Sequence, residues 1–506
     1  MKRVAFALLP LLAASPLGAQ SLATPAAAAP GAPVIVPGVG ATAQAVAREL
    51  VAALDSPDSA TRAAFLARTV DEKTLATRGA EFGQLLRRLH EQGGGFDIVK
   101  LEPVGRNTFL TVRSRAHPRL ALVDLAWSRD DSTRLRDLEV LKAWNPAVDS
   151  IAWPATRLGE REVVATIARN VDRLARLGAF SGTVLVASGD RVIFERGYGW
   201  ANLDDSVRNG PRTRYTTASM GKMFTAVAIA QLVEAGKLRL DDTLGHVLPD
   251  YPNAERARQI TVRQLLGHTA GLGEIWSHPS YVRGKAYSSN RELAWAIADA
   301  PLLFTPGTKW AYSNEGYIVL GAIVERLSGT SFEHYLRAHV WGPAGMRETG
   351  NAGTDVVVPH RAVGYRSADD DPLAIDPLHP NWPFLGNTSA ASGAGGAYAT
   401  AADYLRFVRA LRAGTLVGAA MRDTLWTGRS PLPWDAATKY GYGFERSAAA
   451  GGRETIGHGG GGGGSGIDNA LAAFVDGRYT IVVLGNIDPP GATDLTTALA
   501  KFLARQ

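Results

Sequence analysis

The chain has 506 residues, of which 46% are hydrophobic and 20% are charged, and its formal net charge is +6. This length accommodates roughly two or three domains, and the composition is that of an ordinary globular protein. The charge is small for the length and no run of Lys or Arg interrupts the sequence, so we expect no nucleic-acid partner. The absence of cysteine excludes disulfides, a lipid-anchoring cysteine, a cysteine nucleophile and thiolate metal sites.

The first residues have the pattern of a secretory signal. Lys2 and Arg3 precede a short apolar core, and small residues follow as far as Ala19. The pattern predicts cleavage after Ala19, and the apolar core is too short to span a membrane. We therefore expect residues 1–19 to be a signal peptide and the protein to be exported, to the periplasm or outside the cell. Residues 20–40, rich in Ala, Pro and Gly, predict a flexible linker.

The segment 41–148 predicts three helices followed by four strands. Apolar residues recur at helical spacing up to the glycines at 93–95, and the period then changes to two. This order predicts a small α+β domain. By element order it resembles the cystatin-like and NTF2-like domains that precede some secreted hydrolase domains. It carries no catalytic cluster, so we interpret it as a packing or dimerising module. Pro146 and Pro154 bracket the boundary to a second domain, residues 155–506.

The second domain begins and ends with elements of one predicted sheet. A helix at about 160–176 precedes a hairpin between 182 and 197, and the chain closes with strands at 469–475 and 479–486 and a helix at 492–505. These elements predict an antiparallel sheet flanked by helices, with further helices between its two halves.

A serine and a lysine three residues apart open the helix predicted from Ser219 to Gly236. Positions i and i+3 share a helix face, so the hydroxyl of Ser219 and the amine of Lys222 should lie side by side. Lys222 could accept the serine proton if burial or nearby positive charge lowered its pKa, and the helix N-terminus would favour an oxyanion. The alternative is an N-cap serine beside a solvated lysine.

Two later stretches supply possible partners. Tyr312 and Asn314 precede an apolar helix predicted from Ile318, and offer a phenol for proton transfer and an amide for substrate binding. His458 opens a glycine run to Gly464, which allows close approach of a substrate and leaves backbone N–H groups for an oxyanion. The alternatives are a surface tyrosine and a flexible loop.

The order Ser-x-x-Lys, Tyr-x-Asn, His-x-Gly resembles the serine β-lactamase and penicillin-binding-protein superfamily. The similarity is greatest to class C β-lactamases and their esterase and D-amino-peptidase relatives, and it covers about residues 160–506. Further stretches that resemble the family are Gly236–Asp242, Leu265–Leu272 and Gly395–Asp403. The resemblance implies an α/β (α+β) serine β-lactamase-like fold, with an antiparallel sheet flanked by helices and a helical subdomain.

The resemblance also implies roles for individual residues. Ser219 would be the acylated nucleophile, Lys222 its proton acceptor and Tyr312 a base or proton relay. Asn314 would orient the substrate and His458 would line the pocket. The glycine strand, Gly460 and Gly461, would contact the substrate, with the N–H groups of Ser219 and Gly461 forming the oxyanion hole.

Histidine at 458 departs from the family, because many β-lactamases and cell-wall peptidases have lysine there to meet a substrate carboxylate. Histidine is mostly neutral at pH 7, and it would gain a proton toward pH 6 unless the pocket depressed its pKa. The sequence therefore favours an exported serine hydrolase that forms an acyl-enzyme with an ester or amide of a small molecule or peptide. A true β-lactamase or D,D-carboxypeptidase, and a penicillin-binding or sensor protein with little turnover, remain alternatives.

Other catalytic classes lack their motifs in this chain. There is no Gly-x-Ser-x-Gly elbow, which disfavours the α/β-hydrolase fold, and no His-Glu-x-x-His. We expect neither a metal nor another cofactor. The natural substrate, the role of the N-terminal domain and the oligomeric state are not predicted by the sequence.

Overall fold

A computed structural model describes most of the chain. The described residues are 33–35, 37–104, 107–115, 120–128, 131–144, 151–273, 275, 280–282, 285, 287–351, 357–366, 379–380, 392–432, 435–462, 465–489 and 491–506. The predicted signal peptide and most of the predicted linker lie outside them. Two compact units divide between Ala152 and Trp153. No helix within the described ranges has the length and apolarity needed to cross a bilayer.

In its described residues, the N-terminal unit has a five-stranded sheet and three helices. Its elements are β1 (Val34–Ile35), α1 (Ala41–Asp55), α2 (Ser59–Thr69), α3 (Glu72–Gly93), β2 (Phe96–Val104), β3 (Asn107–Ser114), β4 (Leu120–Trp127) and β5 (Leu135–Trp144). The strands follow in the order β1-β2-β3-β4-β5. Apolar helix residues such as Leu50 and Phe65 are buried in one core with sheet residues such as Leu110. This is the small α+β unit that the sequence predicts.

One part of the linker prediction is wrong. Val34 and Ile35, inside the segment predicted to be a flexible linker, pair in parallel with Lys100 and Leu101 of β2. Both are β-branched and extend the edge of the sheet, so these two residues form a strand although the segment has the Ala, Pro and Gly content typical of linkers.

The C-terminal unit is built on an eight-stranded antiparallel sheet. Its strand order is β14-β15-β16-β17-β18-β19-β6-β7, so the first and last strands of the unit meet at the β19–β6 pair. The strands of this sheet are β6 (Gly182–Ser188), β7 (Arg191–Tyr198), β14 (Ser430–Leu432), β15 (Asp435–Tyr440), β16 (Glu445–Ala448), β17 (Glu454–Gly462), β18 (Ile467–Phe474) and β19 (Tyr479–Gly485). Shorter strands are β8 (Trp200–Asn202), β9 (Val207–Arg208), β10 (Tyr215–Thr216), β11 (Tyr365–Arg366), β12 (His379–Pro380) and β13 (Tyr398–Ala399).

Helices surround this sheet and fill the sequence between its halves. They are α4 (Glu160–Arg176), α5 (Lys222–Glu234), α6 (Leu244–Val247), α7 (Ala254–Gln259), α8 (Val262–Leu266), α9 (Asn290–Ala296), α10 (Asn314–Ser328), α11 (Phe332–Leu336), α12 (Gly342–Ala344), α13 (Ala401–Arg412), α14 (Ala419–Trp426) and α15 (Gly491–Leu503). Helix α5 is apolar on all sides, and Met223, Phe224 and Val227 are almost completely buried. A helix of that composition belongs in a core, which is why the chain around Ser219 is the centre of the unit.

Two helix starts differ from the prediction. Ser219 lies in a 3-10 turn (Ala218–Gly221), and the α-helix begins only at Lys222. Helix α10 begins at Asn314 instead of Ile318, because Ser313 caps it by accepting a hydrogen bond from the Gly316 N–H. The end of α5 agrees with the sequence, since Gly236 adopts a left-handed φ of 67°.

Candidate active site

The serine of the predicted pair is held on a strained turn. Ala218, directly before Ser219, has a φ of 44°, a left-handed conformation that is unfavourable for a residue with a Cβ. In a 3-10 turn, residues i and i+3 eclipse one another. The side-by-side arrangement of Ser219 and Lys222 therefore occurs although the helix prediction for Ser219 was wrong.

The amine of Lys222 lies at the centre of a hydrogen-bonded cluster. Its Nζ is 3.0 Å from Ser219 Oγ, 2.7 Å from Asn314 Oδ1 and 2.8 Å from the carbonyl oxygen of Ala394. The side chain is 0% exposed, so the solvated-lysine alternative does not apply. Burial of an amine disfavours its charged form, and these oxygens are what allow the residue to be buried at all.

Tyr312 contacts the same amine through its ring. Lys222 Nζ lies 4.8 Å from the centroid of the Tyr312 ring. The same ring packs on His268, with 4.4 Å between the ring centroids. The structure thus brings all four of Ser219, Lys222, Tyr312 and Asn314 together, although they come from segments about 90 residues apart.

His458 is buried and its pKa is depressed, which is the condition under which the sequence analysis expects no proton gain toward pH 6. The side chain is 3% exposed, and burial, reinforced by the charge of Lys222, lowers its pKa to about 3. Its Nε2 lies 3.0 Å from the Tyr440 hydroxyl, and its Nδ1 lies 2.5 Å from the carbonyl oxygen of Gly459. In the neutral ring Nδ1–H donates to that carbonyl and Nε2 accepts from Tyr440, so both nitrogens are satisfied without a charge.

The glycine run forms strand β17 up to Gly462 and is not a loop over that range. Its ladder to β18 continues to Gly462, whereas its ladder to β16 ends at Gly457. Within the described part of the sheet, the β16-side edge of Gly459–Gly462 has no neighbouring strand. An edge of this kind presents backbone N–H and C=O groups that can pair with an extended ligand.

Gly460 brings this strand against the turn Ala218–Gly221 that carries Ser219. A Cβ added to Gly460 would lie 2.6 Å from Thr217 O, 2.9 Å from Met220 N and 3.1 Å from Ser219 N. Only glycine permits this approach of β17 to the backbone of the serine. Gly461, with a φ of 145°, lies equally close to β18, because an added Cβ would be 2.0 Å from Ile467 O.

Three participants were missed by the sequence analysis. Ala394 contributes a backbone carbonyl, which no sequence motif reveals. Tyr440 is the hydrogen-bond partner of His458. His268 supports Tyr312, accepts the Ser313 N–H on Nδ1 at 3.1 Å, and has its pKa held well below the usual range by burial. His268 lies in Leu265–Leu272, one of the stretches that resemble the family. That resemblance could have marked it as a site residue, but it did not indicate its role.

In the described part of the chain, no three His, Asp or Glu side chains lie close enough together to hold a metal ion.

Comparison with known proteins identifies the family of the C-terminal part of the chain. A family model described as Beta-lactamase matches residues 164–506. The "Putative penicillin-binding protein PbpX" of Bacillus subtilis (strain 168) is 30% identical over 285 residues, which are 56% of this chain and 67% of that protein. A penicillin binding protein from Bacillus halodurans is structurally similar, with a TM-score of 0.55 and 27% identity over 68% of this chain and 99% of that chain. A D-stereospecific amidohydrolase from Streptomyces sp. has a TM-score of 0.54 and 26% identity over 65% of this chain and 96% of that chain.

Proposed function

Because the chain belongs to the Beta-lactamase family and is a serine hydrolase, we propose that it hydrolyses esters or amides through an acyl-enzyme on Ser219. The observation that carries the proposal is the set of hydrogen bonds made by the buried Lys222 amine. Tyr312 and Asn314 complete the group of side chains at the reacting atoms.

The surroundings of Lys222 suit a base that cycles between two protonation states. Asn314 Oδ1 and Ala394 O can only accept hydrogen bonds, so they take both hydrogens of a neutral amine and leave its lone pair facing Ser219 Oγ. When the amine takes the serine proton, the ammonium form has three N–H groups, and each again faces an oxygen. Proton transfer from Ser219 Oγ to Lys222 Nζ therefore needs little rearrangement of the groups around the amine.

The acylation step follows from these positions. Ser219 Oγ attacks the substrate carbonyl carbon while its proton moves to Lys222 Nζ, and the carbonyl π electrons move to the oxygen. The N–H groups of Ser219 and Gly461 are the proposed donors to that oxygen. The tetrahedral species then expels the alcohol or amine, which takes a proton from the Lys222–Tyr312 pair, and water repeats the sequence to release the acid.

The proposed substrates have no carboxylate opposite position 458. A lysine there would offer a permanent positive charge, whereas the buried, neutral His458 offers none, and its pKa of about 3 keeps it neutral over the physiological range. An ion pair shielded in a cleft contributes about 1–3 kcal/mol, so its absence removes a tenfold to hundredfold advantage for carboxylate-bearing substrates. The open edge of β17 suits an extended acyl group with an amide of its own.

A true β-lactamase or D,D-carboxypeptidase activity is the second candidate, favoured by the same open strand edge. A penicillin-binding or sensor protein would share the site but deacylate slowly.

The proposed export of the protein rests on the signal-peptide pattern of residues 1–19. The N-terminal unit is proposed to be an accessory module that folds separately from residues 155–506.

The experiment combines covalent labelling with a substrate comparison. A fluorophosphonate probe should add once to the wild type, by intact mass, and not to Ser219→Ala. Lys222→Ala should lose labelling by orders of magnitude while its circular dichroism is retained. The wild type should turn over a neutral nitrophenyl ester faster than a cephalosporin. Labelling that persists in Ser219→Ala refutes the nucleophile, and efficient cephalosporin turnover refutes the substrate class in favour of the second candidate. A stable adduct with either substrate would indicate the sensor.

A further inference from the structure

The carbonyl of Ala394 can orient the Lys222 amine only if its own segment is fixed. The preceding residue, Gly393, is held on both sides of its backbone by buried side chains. Its carbonyl accepts a hydrogen bond from Thr225 Oγ1 at 2.6 Å, and its N–H donates to Asn290 Oδ1 at 2.7 Å. Thr225 is 0% exposed and Asn290 is 2% exposed. Thr225 Oγ1 and Asn290 Oδ1 thus bind the carbonyl and the N–H of one residue next to the active site.

The backbone of Gly393 is also restrained by packing. A Cβ added to Gly393 would lie 2.1 Å from the carbonyl oxygen of Tyr317, so this backbone lies directly against helix α10. Asn290 is anchored in turn, because its Nδ2 donates to Glu325 Oε1 of α10 at 3.0 Å. The segment has no room to shift as long as these contacts are present.

Thr225 lies one helical turn after Lys222 on α5, so the two side chains share a face of the helix. One end of the segment contacts Lys222 through Ala394 O, and the neighbouring peptide contacts Thr225. We infer that Thr225, with Asn290, is a positioning residue that holds the Ala394 carbonyl against the Lys222 amine. This inference rests on the proposed role of Lys222 and adds residues that do not touch the substrate.

If Thr225 had a purely structural role, it would only supply a hydrogen bond to the buried Gly393 carbonyl, and its loss would lower stability without a specific effect on the acylation rate. The two roles differ in what the loss of the hydroxyl changes. If Thr225 positions the carbonyl, its loss displaces an acceptor of the Lys222 N–H, and the maximal rate of acylation falls while substrate affinity is kept. Misplacement by about 1 Å in a catalytic group costs on the order of a hundredfold in rate, so a partial shift predicts roughly a tenfold loss.

The test uses Thr225→Val, which removes the hydroxyl and conserves the shape, and Thr225→Ser, which restores it. Thr496→Val is the matched control, because Thr496 is also buried on a helix and donates to a backbone carbonyl, that of Ala492, at 2.8 Å. Labelling by a fluorophosphonate is followed as a function of probe concentration, to separate the maximal rate from the half-saturating concentration. Thermal unfolding is measured on every variant.

We expect Thr225→Val to lower the maximal labelling rate about tenfold with an unchanged half-saturating concentration, and Thr225→Ser to recover most of it. Thr496→Val should lose similar thermal stability and keep the wild-type rate. If Thr225→Val and Thr496→Val both label like the wild type, or both lose rate equally, the positioning role is wrong. Failure of the proposed function is distinguishable, because it would appear in the wild type itself as no labelling, or as labelling that survives Ser219→Ala.

Discussion

The contact between Gly460 and the turn that carries Ser219 makes Gly460→Ala the most direct test of the site. The added methyl would lie 2.6 Å from Thr217 O, 2.9 Å from Met220 N and 3.1 Å from Ser219 N, where ordinary contacts begin at 3.4 Å. All three neighbours are backbone atoms, so none can rotate away. Relief of the overlap requires strand β17 and the turn to separate by roughly 0.5–1 Å, which displaces the donors proposed for the oxyanion.

The expected loss follows from that displacement. Removal of one oxyanion donor typically costs about 10²–10³ in rate, and a misplacement by about 1 Å costs on the order of 10². We therefore expect acylation by Gly460→Ala to fall about a hundredfold, equivalent to ~2.7 kcal/mol in the activation free energy. The folding free energy should decrease by only about 1–3 kcal/mol, as for other overpacked sites.

Gly459→Ala is the control, because the nearest atom to its added methyl is Asn469 O at 3.8 Å. Its labelling rate should stay within about threefold of the wild type. The assay is fluorophosphonate labelling and nitrophenyl ester turnover, with urea unfolding of both variants. If Gly460→Ala labels as fast as Gly459→Ala while folded, the proposed approach of β17 to the serine is wrong.

Three further predictions concern pH and stability. The ratio of kcat/KM for a carboxylate-bearing ester to kcat/KM for a neutral ester should stay constant from about pH 7.5 to about pH 5.5, because a His458 pKa of about 3 leaves the ring neutral. An increase in this ratio as the pH falls would contradict the prediction. Glu315→Gln should cost about 3–5 kcal/mol in urea unfolding, since it leaves Arg256 buried without its carboxylate (both side chains are 3% exposed), and a loss under about 1 kcal/mol would refute it. Burial raises the pKa of Asp124 to about 6 from 3.8, so its stabilising contribution is present below about pH 4 and lost as the pH rises through 6. Asp124→Asn should abolish that pH dependence of stability in calorimetry. Its free energy of unfolding near pH 7.5 should be higher than that of the wild type by roughly 1 kcal/mol, allowing for solvent screening. An unchanged pH dependence would exclude Asp124 as its source.

Local sequence rules predicted the pairing of Ser219 with Lys222 and the helices and strands around it. The pairing survived a wrong helix start because i and i+3 are adjacent in both 3-10 and α geometry. The left-handed Ala218 that produces the turn was not predictable, since its conformation is imposed by packing and alanine does not favour it.

Contacts distant in sequence were beyond such rules. The Ala394 carbonyl reaches Lys222 from 172 residues away, and a backbone oxygen leaves no trace in residue type. Whether the pocket depresses the pKa of His458 could not be predicted from the sequence for a related reason. A pKa depends on burial, and that burial comes from Tyr440 on β15 and from the sheet as a whole.

The two buried histidines bear on how the site moves protons. His268 and His458 both lie close enough to Lys222 for its charge to oppose their protonation, and burial has the same direction in each case. Because burial lowers both pKa values, we expect both rings to stay neutral near neutral pH. His268 packs on the ring of Tyr312, and His458 lies in strand β17. In the proposed mechanism, proton transfer at Ser219 is therefore assigned to the Lys222 amine and the Tyr312 phenol. If the acylation rate instead changes with an apparent pKa near 6.5, a histidine titrates in this range. The argument that a neutral His458 gives no advantage to carboxylate-bearing substrates would then be wrong.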